Sequence, residues 1–404
     1  MVQSTATTVP AAKLRRIALD AQGLLKTAPF GRGRNATRRA IAAIGYVQID
    51  TISVVARAHH HVLHSRVPNY EPAHLDRLQR DGHIFEYWYH AAAYLPMRDY
   101  RFALPRMESM RNRTERWVRS RDEKLMHEVL TRIEAEGPLM ARDFENPAAG
   151  SAGWWNWKPA KQALEQLFMQ GVLMVAGRSG FQKNYDLRER ILPAGTDTRM
   201  PDDAETAAYL LRTMLNAHGF ITPKEVTHLR QGKPIRAALK ALLEEALASK
   251  RLTLIRQPCG ALAYADPERL ETRAAPASGR ALLLSPFDNL VIHRDRVQSV
   301  FDFDYQIECY VNEKHRRYGY YSLPIVHRDR LVGRADCKTH RQESRFEIRH
   351  LHFEESVDTN TDGFFPDIAD AFQRYARFNG CSEISLTRAT PAREGRALEL
   401  ALRT

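Results

Sequence analysis

Residues 46–64, YVQIDTISVVARAHHHVLH, bring an amide, a carboxylate, a guanidinium and a run of imidazoles into one short segment. Side chains alternate along an extended chain, so Gln48 and Asp50 share one face while Ile49 turns to the core. A Gln-x-Asp triplet alone is weak, expected about once by chance in a chain this long. Its surroundings are more informative. Ser53 suits the N-cap of a following helix, on which Val54, Val55, Ala58 and Val62 make the buried stripe. Arg57, His60 and His64 fall on the opposite face, with His59 and His61 at the flanks. His60 and His64 lie four apart, a spacing that could hold a metal, but no second ligand pair accompanies them. The run could equally be a solvated helix face, or could lie near nucleic-acid phosphates, which makes Arg57, His60 and His64 candidate DNA contacts. Two aromatic clusters, GWWNWKP (153–159) and FEYWYH (85–90), are expected mainly to pack, although exposed rings could stack on bases.

The elements that carry these residues form an imperfect repeat. Three times a proline-opened helix with leucines at helical spacing leads into strand, turn and strand. The helices start at Pro72, Pro159 and Pro234. The strand pairs that follow are HIFEYWYHAAAYL, VLMVAGRSGFQKNYDL and RLTLIRQPCGALAYAD. Proline fits a first helical turn, where its missing N–H would be unpaired anyway. Gly82 and Gly171 fit left-handed C-caps, and the third copy has no glycine there. A helix followed by a β-hairpin is the second half of a winged helix-turn-helix. Helices near 12–25, 35–45, 122–136 and 203–217 would complete the units. From about 280 the texture turns β-rich, with the turns HRDR (327–330) and HRQE (340–343) between strands. The expected fold is therefore α+β, with three tandem winged-helix units and a C-terminal β-barrel or α+β domain. Its expected boundaries are a disordered tail over 1–11, units over 12–120, 121–200 and 201–275, and the last domain over 276–404.

Charge narrows the partner. Sixty Lys and Arg against 48 Asp and Glu leave +12, with a pI near 9.6. Such a field favours a polyanion, whose counterions are released on binding. Cys259, Cys309, Cys337 and Cys381 are scattered and show no CxxC spacing, which argues against zinc or iron–sulfur sites and fits a reducing cytoplasm. No apolar run is long enough for a membrane span, and the first dozen residues lack the pattern of a secretory signal. Walker, GxSxG, HExxH and dinucleotide motifs are absent, which removes many common enzyme classes.

Several segments, in this order, resemble the YcaQ/AlkX/AlkZ family of winged-helix DNA glycosylases. They are QIDTISVVARAHHH with LHSRVPNY, FEYWYHAAAYLPMRDYR, GWWNWKPAKQALEQLF, LLSPFDNLV, FDFDYQIECYV and RRYGYYSLPIVHRDRLVGRADCKTHR. The resemblance covers nearly the whole chain and implies tandem winged helices with a C-terminal β-barrel. It also implies that Gln48, Ile49 and Asp50 are the catalytic motif, in the form that resembles enzymes of broad alkyl-adduct and interstrand-crosslink repair. No catalytic role passes to the histidines.

On that basis the expected substrate is double-stranded DNA carrying alkylated or crosslinked bases, in the cytoplasm at the nucleoid. Neither a metal nor an organic cofactor is implied, and a monomer suffices. A purine alkylated at N7 or N3 is cationic and departs readily. Asp50 would then stabilise the oxocarbenium-like sugar and Gln48 would orient water. Arg328, Arg330, Lys338 and Arg341, on or beside the two turns, are candidate backbone or groove contacts. The rivals are a winged-helix transcription regulator, which would tolerate loss of Gln48 and Asp50, and a metal-dependent hydrolase built on the histidines.

Overall fold

The computed structural model describes residues 6–112, 122–144, 158–228, 232–272 and 279–403. The chain divides into two compact units, Glu71–Tyr209 and a second made from Met1–Tyr70 together with Leu210–Thr404. This division cuts the segment 12–120 at Tyr70/Glu71. Among the described residues no helix is long and apolar enough to cross a membrane.

The Glu71–Tyr209 unit holds the first two copies of the repeated motif. Pro72–Arg80 opens with a capping box between Glu71 and His74, then leads to the antiparallel strands Ile84–Trp88 and Ala92–Pro96. Lys158–Met169 leads likewise to Leu173–Ser179 and Gln182–Leu187. Each helix hands over to its hairpin through a left-handed glycine, Gly82 (φ +68°) and Gly171 (φ +69°). At Gly171 a Cβ would stand 2.4 Å from the Met107 sulfur, so close packing as well as backbone freedom demands glycine. Phe85 and Tyr87 are buried, and Trp88 is exposed beneath the Arg106 guanidinium. The three tryptophans at 154, 155 and 157 lie outside the described residues.

The third copy belongs to the other unit, where Lys233–Ala248 precedes the paired strands Thr253–Arg256 and Leu262–Ala265. Lys250 takes the left-handed position itself, at φ +57°. Residues 7–11, expected within an irregular tail, are instead ordered. Thr7–Thr8 pair in parallel with Ile255–Arg256, the Val9 N–H donates to the Arg256 carbonyl, and a helix starts at Ala11. Burial of Val9 and Leu14 is the reason.

The same unit carries a curled half-barrel sheet. Ala281–Leu283, Ser322–His327, Arg330–His340 and Arg345–Phe353 run antiparallel in that order. Glu383–Leu386 and Ala389–Thr390 add to the last of these in parallel. Bulges at Ile325/Val326 and Asp336/Cys337 increase the local twist and bend the strands. Helix Phe364–Phe378 seals one face with Ile368, Phe372 and Tyr375, and Val55 and Ala58 join that core.

Candidate active site

Gln48 ends the two-residue strand Val47–Gln48, just after the helix Gly33–Ile44. Gly45, at φ +82°, turns the chain between them, and a Cβ there would stand 2.4 Å from Thr213 Cγ2. The Asn289 amide holds this corner by donating to the carbonyls of Ile44 and Tyr46, both at 3.2 Å. Next to Asn289, Asp288 takes a bidentate pair of bonds from Arg66, at 2.6 and 2.8 Å, and both side chains are fully buried. Arg66 also donates to the Val62 carbonyl and to the backbone and side-chain oxygens of Gln22. With its donors satisfied in this way the charge is tolerable inside the protein. The segment bearing the site is thus anchored on both sides to the loop 285–290.

Ile49 is buried, Gln48 is 8% exposed and Asp50 is half-buried. The Asp50 Oδ1 accepts the Ile52 N–H at 2.8 Å, a short Asx turn that fixes the carboxylate. Burial raises its pKa, and the Ile52 N–H partly offsets that shift. Burial raises the pKa of Cys309, Tyr310 and Tyr321, and the Asp50 charge adds a smaller push in the same direction.

Beyond Asp50 the expected helix from Ser53 does not form, and the helix starts at Ala58, with Arg57 in the N-cap position. The carbonyls a helix would need are occupied by the sheet. Thr339 donates its N–H to Val54 O at 2.8 Å, and the Arg341 guanidinium donates to Ser53 O and Val55 O. Arg341 therefore grips the segment that carries Asp50.

The histidines lie largely inside the fold. His61 is fully buried, with Nε2 on the Leu283 carbonyl and Nδ1 on the Tyr375 hydroxyl, each at 2.9 Å. A carbonyl can only accept, so the Nε2–H tautomer is the one held. His60 Nδ1 lies 2.8 Å from the Tyr70 hydroxyl, and His64 stacks on Phe378 with ring centres 4.2 Å apart. Burial lowers their pKa values to about 4 for His60 and about 3 for His61 and His64. All three rings are neutral at pH 7. Among the described residues no three His, Cys, Asp or Glu side chains are grouped to hold a metal ion.

The four basic residues near the turns do not gather at one place. Arg328 and Arg330 flank the turn before Arg330–His340, whereas Lys338 and Arg341 lie at its other end. An extended strand of that length separates the two ends by roughly 36 Å. Arg328, left-handed at φ +55°, donates to Asp362 O. Only Lys338 and Arg341 share the end that meets the Asp50 segment. Asn289 and the Arg66–Asp288 pair escaped sequence reasoning. Their one signal was membership of the segments LHSRVPNY and LLSPFDNLV.

The structure is similar to that of the Streptomyces sahachiroi DNA glycosylase AlkZ, with a TM-score of 0.64 at 15% identity, over 95% of this chain and 100% of that one. At that identity the likeness speaks for the fold. A family model described as DNA glycosylase AlkZ-like matches residues 41–378, from ahead of Gln48 through helix Phe364–Phe378. The chain belongs to the AlkZ-like DNA glycosylase family, and is by that membership a DNA repair enzyme acting on DNA.

Proposed function

We propose that this glycosylase hydrolyses the N-glycosidic bond of purines alkylated at N7 or N3 in duplex DNA, unhooks interstrand crosslinks at such positions, and leaves abasic sites. The observation that carries this is the arrangement at Asp50. A carboxylate fixed by the Ile52 N–H, half-buried and two residues from Gln48, stands on a segment clamped to the barrel by Thr339 and Arg341.

An alkylated purine already carries positive charge, so it leaves without strong general-acid help. The sugar then bears oxocarbenium character. A preorganised anion stabilises that charge more effectively in a partly desolvated site than in water. Asp50 supplies the anion and can accept a proton from the attacking water. Gln48, with one acceptor and two donors, aims that water at C1′. The sequence elements 12–120, 121–200 and 201–275 act as winged-helix units that hold the duplex, and one copy of the chain suffices. Lys338, at the strand end that meets the Asp50 segment, and Arg57, at the N-cap of the following helix, are the candidate cations for contacts close to the reacting groups. Arg328 and Arg330 are reserved for more distant backbone contacts. Arg341 is engaged on the Ser53 and Val55 carbonyls, and His60 and His64, neutral at pH 7, add no charge.

The test is single-turnover release of N7-methylguanine from a defined duplex, followed by alkaline cleavage of the abasic product. Asp50→Asn and Gln48→Ala should each reduce release by at least about 100-fold, the scale of losing one preorganised electrostatic group. Wild-type rates in Asp50→Asn would overturn the assignment.

A further inference from the structure

Between Asp20 and Glu71 the chain carries one acidic side chain, Asp50, against one lysine and six arginines. Acidic residues number 48 in 404 overall, so a single one in this stretch is a marked depletion. Four of the arginines belong to the helix Gly33–Ile44, which leads directly into Gln48. Ala36, Thr37, Ala40, Ile41 and Ile44 make its buried side. Arg34, Arg38 and Arg39 fall on the other side, exposed, and Arg32 is exposed at the N-cap position. Arg34 and Arg38, four apart, stand one turn above the other, an arrangement of like charges that costs the helix stability. Arg39 serves the fold, donating from Nε and Nη2 to the Phe30 carbonyl at 2.9 and 2.6 Å. Arg32 and Arg38 are spaced by roughly 9 Å of helix rise, and Arg38 precedes Ile44 by about the same distance. The helix end is in turn fixed to the Gln48 strand by the turn at Gly45 and by the Asn289 bonds to the Ile44 and Tyr46 carbonyls. The result is an exposed cationic face on a rigid element at a set distance from the catalytic amide.

We propose that the arginine face of helix Gly33–Ile44 holds the phosphates of duplex DNA beside the damaged nucleotide, with Arg32 and Arg38 as the contacts. This rests on the reading of Gln48 and Asp50 as the reacting pair. A catalytic carboxylate repels the phosphates that flank its own target, and a cationic surface next to it offsets that repulsion. Arginine suits the task because its planar fork matches phosphate oxygens. The spacing of Arg32 and Arg38 is close to the rise of about three nucleotides of duplex, so the two can hold separate phosphates of one strand. Phosphate contacts carry no sequence information but set register. A grip at this face therefore aligns the strand with Gln48 whatever the surrounding sequence.

The experiment measures binding of a short undamaged duplex across a salt series, for wild type, Arg32→Ala, Arg38→Ala, Arg38→Lys and Arg396→Ala, with circular dichroism to verify folding. Arg396, exposed on the helix Ala392–Arg403, controls for the loss of one positive charge. Arg32→Ala and Arg38→Ala should each reduce the slope of log affinity against log salt by about one unit. Arg38→Lys should restore it, because an ammonium still neutralises a phosphate, and Arg396→Ala should match wild type. Wild-type slopes in both alanine variants, an equal loss in Arg396→Ala, or a loss that lysine does not restore would each overturn the assignment. Release of N7-methylguanine is followed separately. If these binding effects are absent while Asp50→Asn is inactive, the helix assignment falls and the glycosidic mechanism stands. If they are present but wild type releases no methylated base, the helix holds duplex as proposed and the substrate reading fails.

Discussion

The guanidinium of Arg341 sits 3.0 Å from the carbonyl oxygen of Ser53, three residues past Asp50. A second bond, to Val55 O at 3.2 Å, makes the contact a clamp on the backbone. Arg341→Ala should therefore slow excision by about 10- to 100-fold through misplacement of the carboxylate, with the salt dependence of duplex binding unchanged. Arg341→Lys should recover little, because an ammonium cannot reproduce the planar fork. A salt slope reduced by about one unit, with normal excision at saturating enzyme, would make Arg341 a phosphate contact instead.

Burial holds the Asp50 carboxyl above its usual range. An enzyme that needs this group ionised loses activity on the acid side at a pH above that of an ordinary aspartate, near 3.9. The same shift bears on stability. With the folded-state pKa raised, the ionised carboxylate weakens the fold at every pH above that pKa, and the penalty disappears below the unfolded value. Asn at this position keeps an oxygen for the Ile52 N–H without the charge. Asp50→Asn should thus melt at a higher temperature than wild type at pH 7, by a margin that shrinks as the pH falls. A variant that melts lower at pH 7 contradicts the assignment of burial as the cause.

The neutral histidines make the fold acid-sensitive. Their folded-state pKa values, about 4 for His60 and about 3 for His61 and His64, lie below the unfolded value of 6.5. The stability they contribute is complete above pH 6.5 and lost as the pH falls toward 4 and 3. Near pH 5 the unfolded chain takes up close to one proton at each, giving a slope of roughly 4 kcal/mol per pH unit from the three. Urea titrations between pH 5 and 7 read this directly. His64→Phe should preserve the stack on Phe378 and remove about one proton from the uptake, and an unchanged slope would refute the neutral state.

Local signals were legible in the sequence. Pro72, Pro159 and Pro234 mark the first turns of real helices, and Gly82 and Gly171 end two of them as left-handed caps. Gln48 and Asp50 could be proposed as a catalytic pair because they stand two residues apart in one short segment. What remained hidden depends on partners far along the chain. The stretch 53–57 has helical periodicity, yet Arg341, 288 residues from Ser53, occupies its carbonyls. The His60 and His64 side chains read as one exposed face because Tyr70 and Phe378, which cover them, are invisible to a periodicity argument. Lys250 shows the converse: a lysine fills a glycine-like position because the surrounding turn fixes its backbone.

The anchors of the Gln–Ile–Asp segment also carry a lesson about timing on the ribosome. Asp288, Asn289, Thr339 and Arg341 are all made more than 200 residues after Asp50. A nascent or truncated chain that stops before residue 280 displays the complete signature yet has nothing to hold it in shape. In such fragments the motif would be present and the enzyme absent.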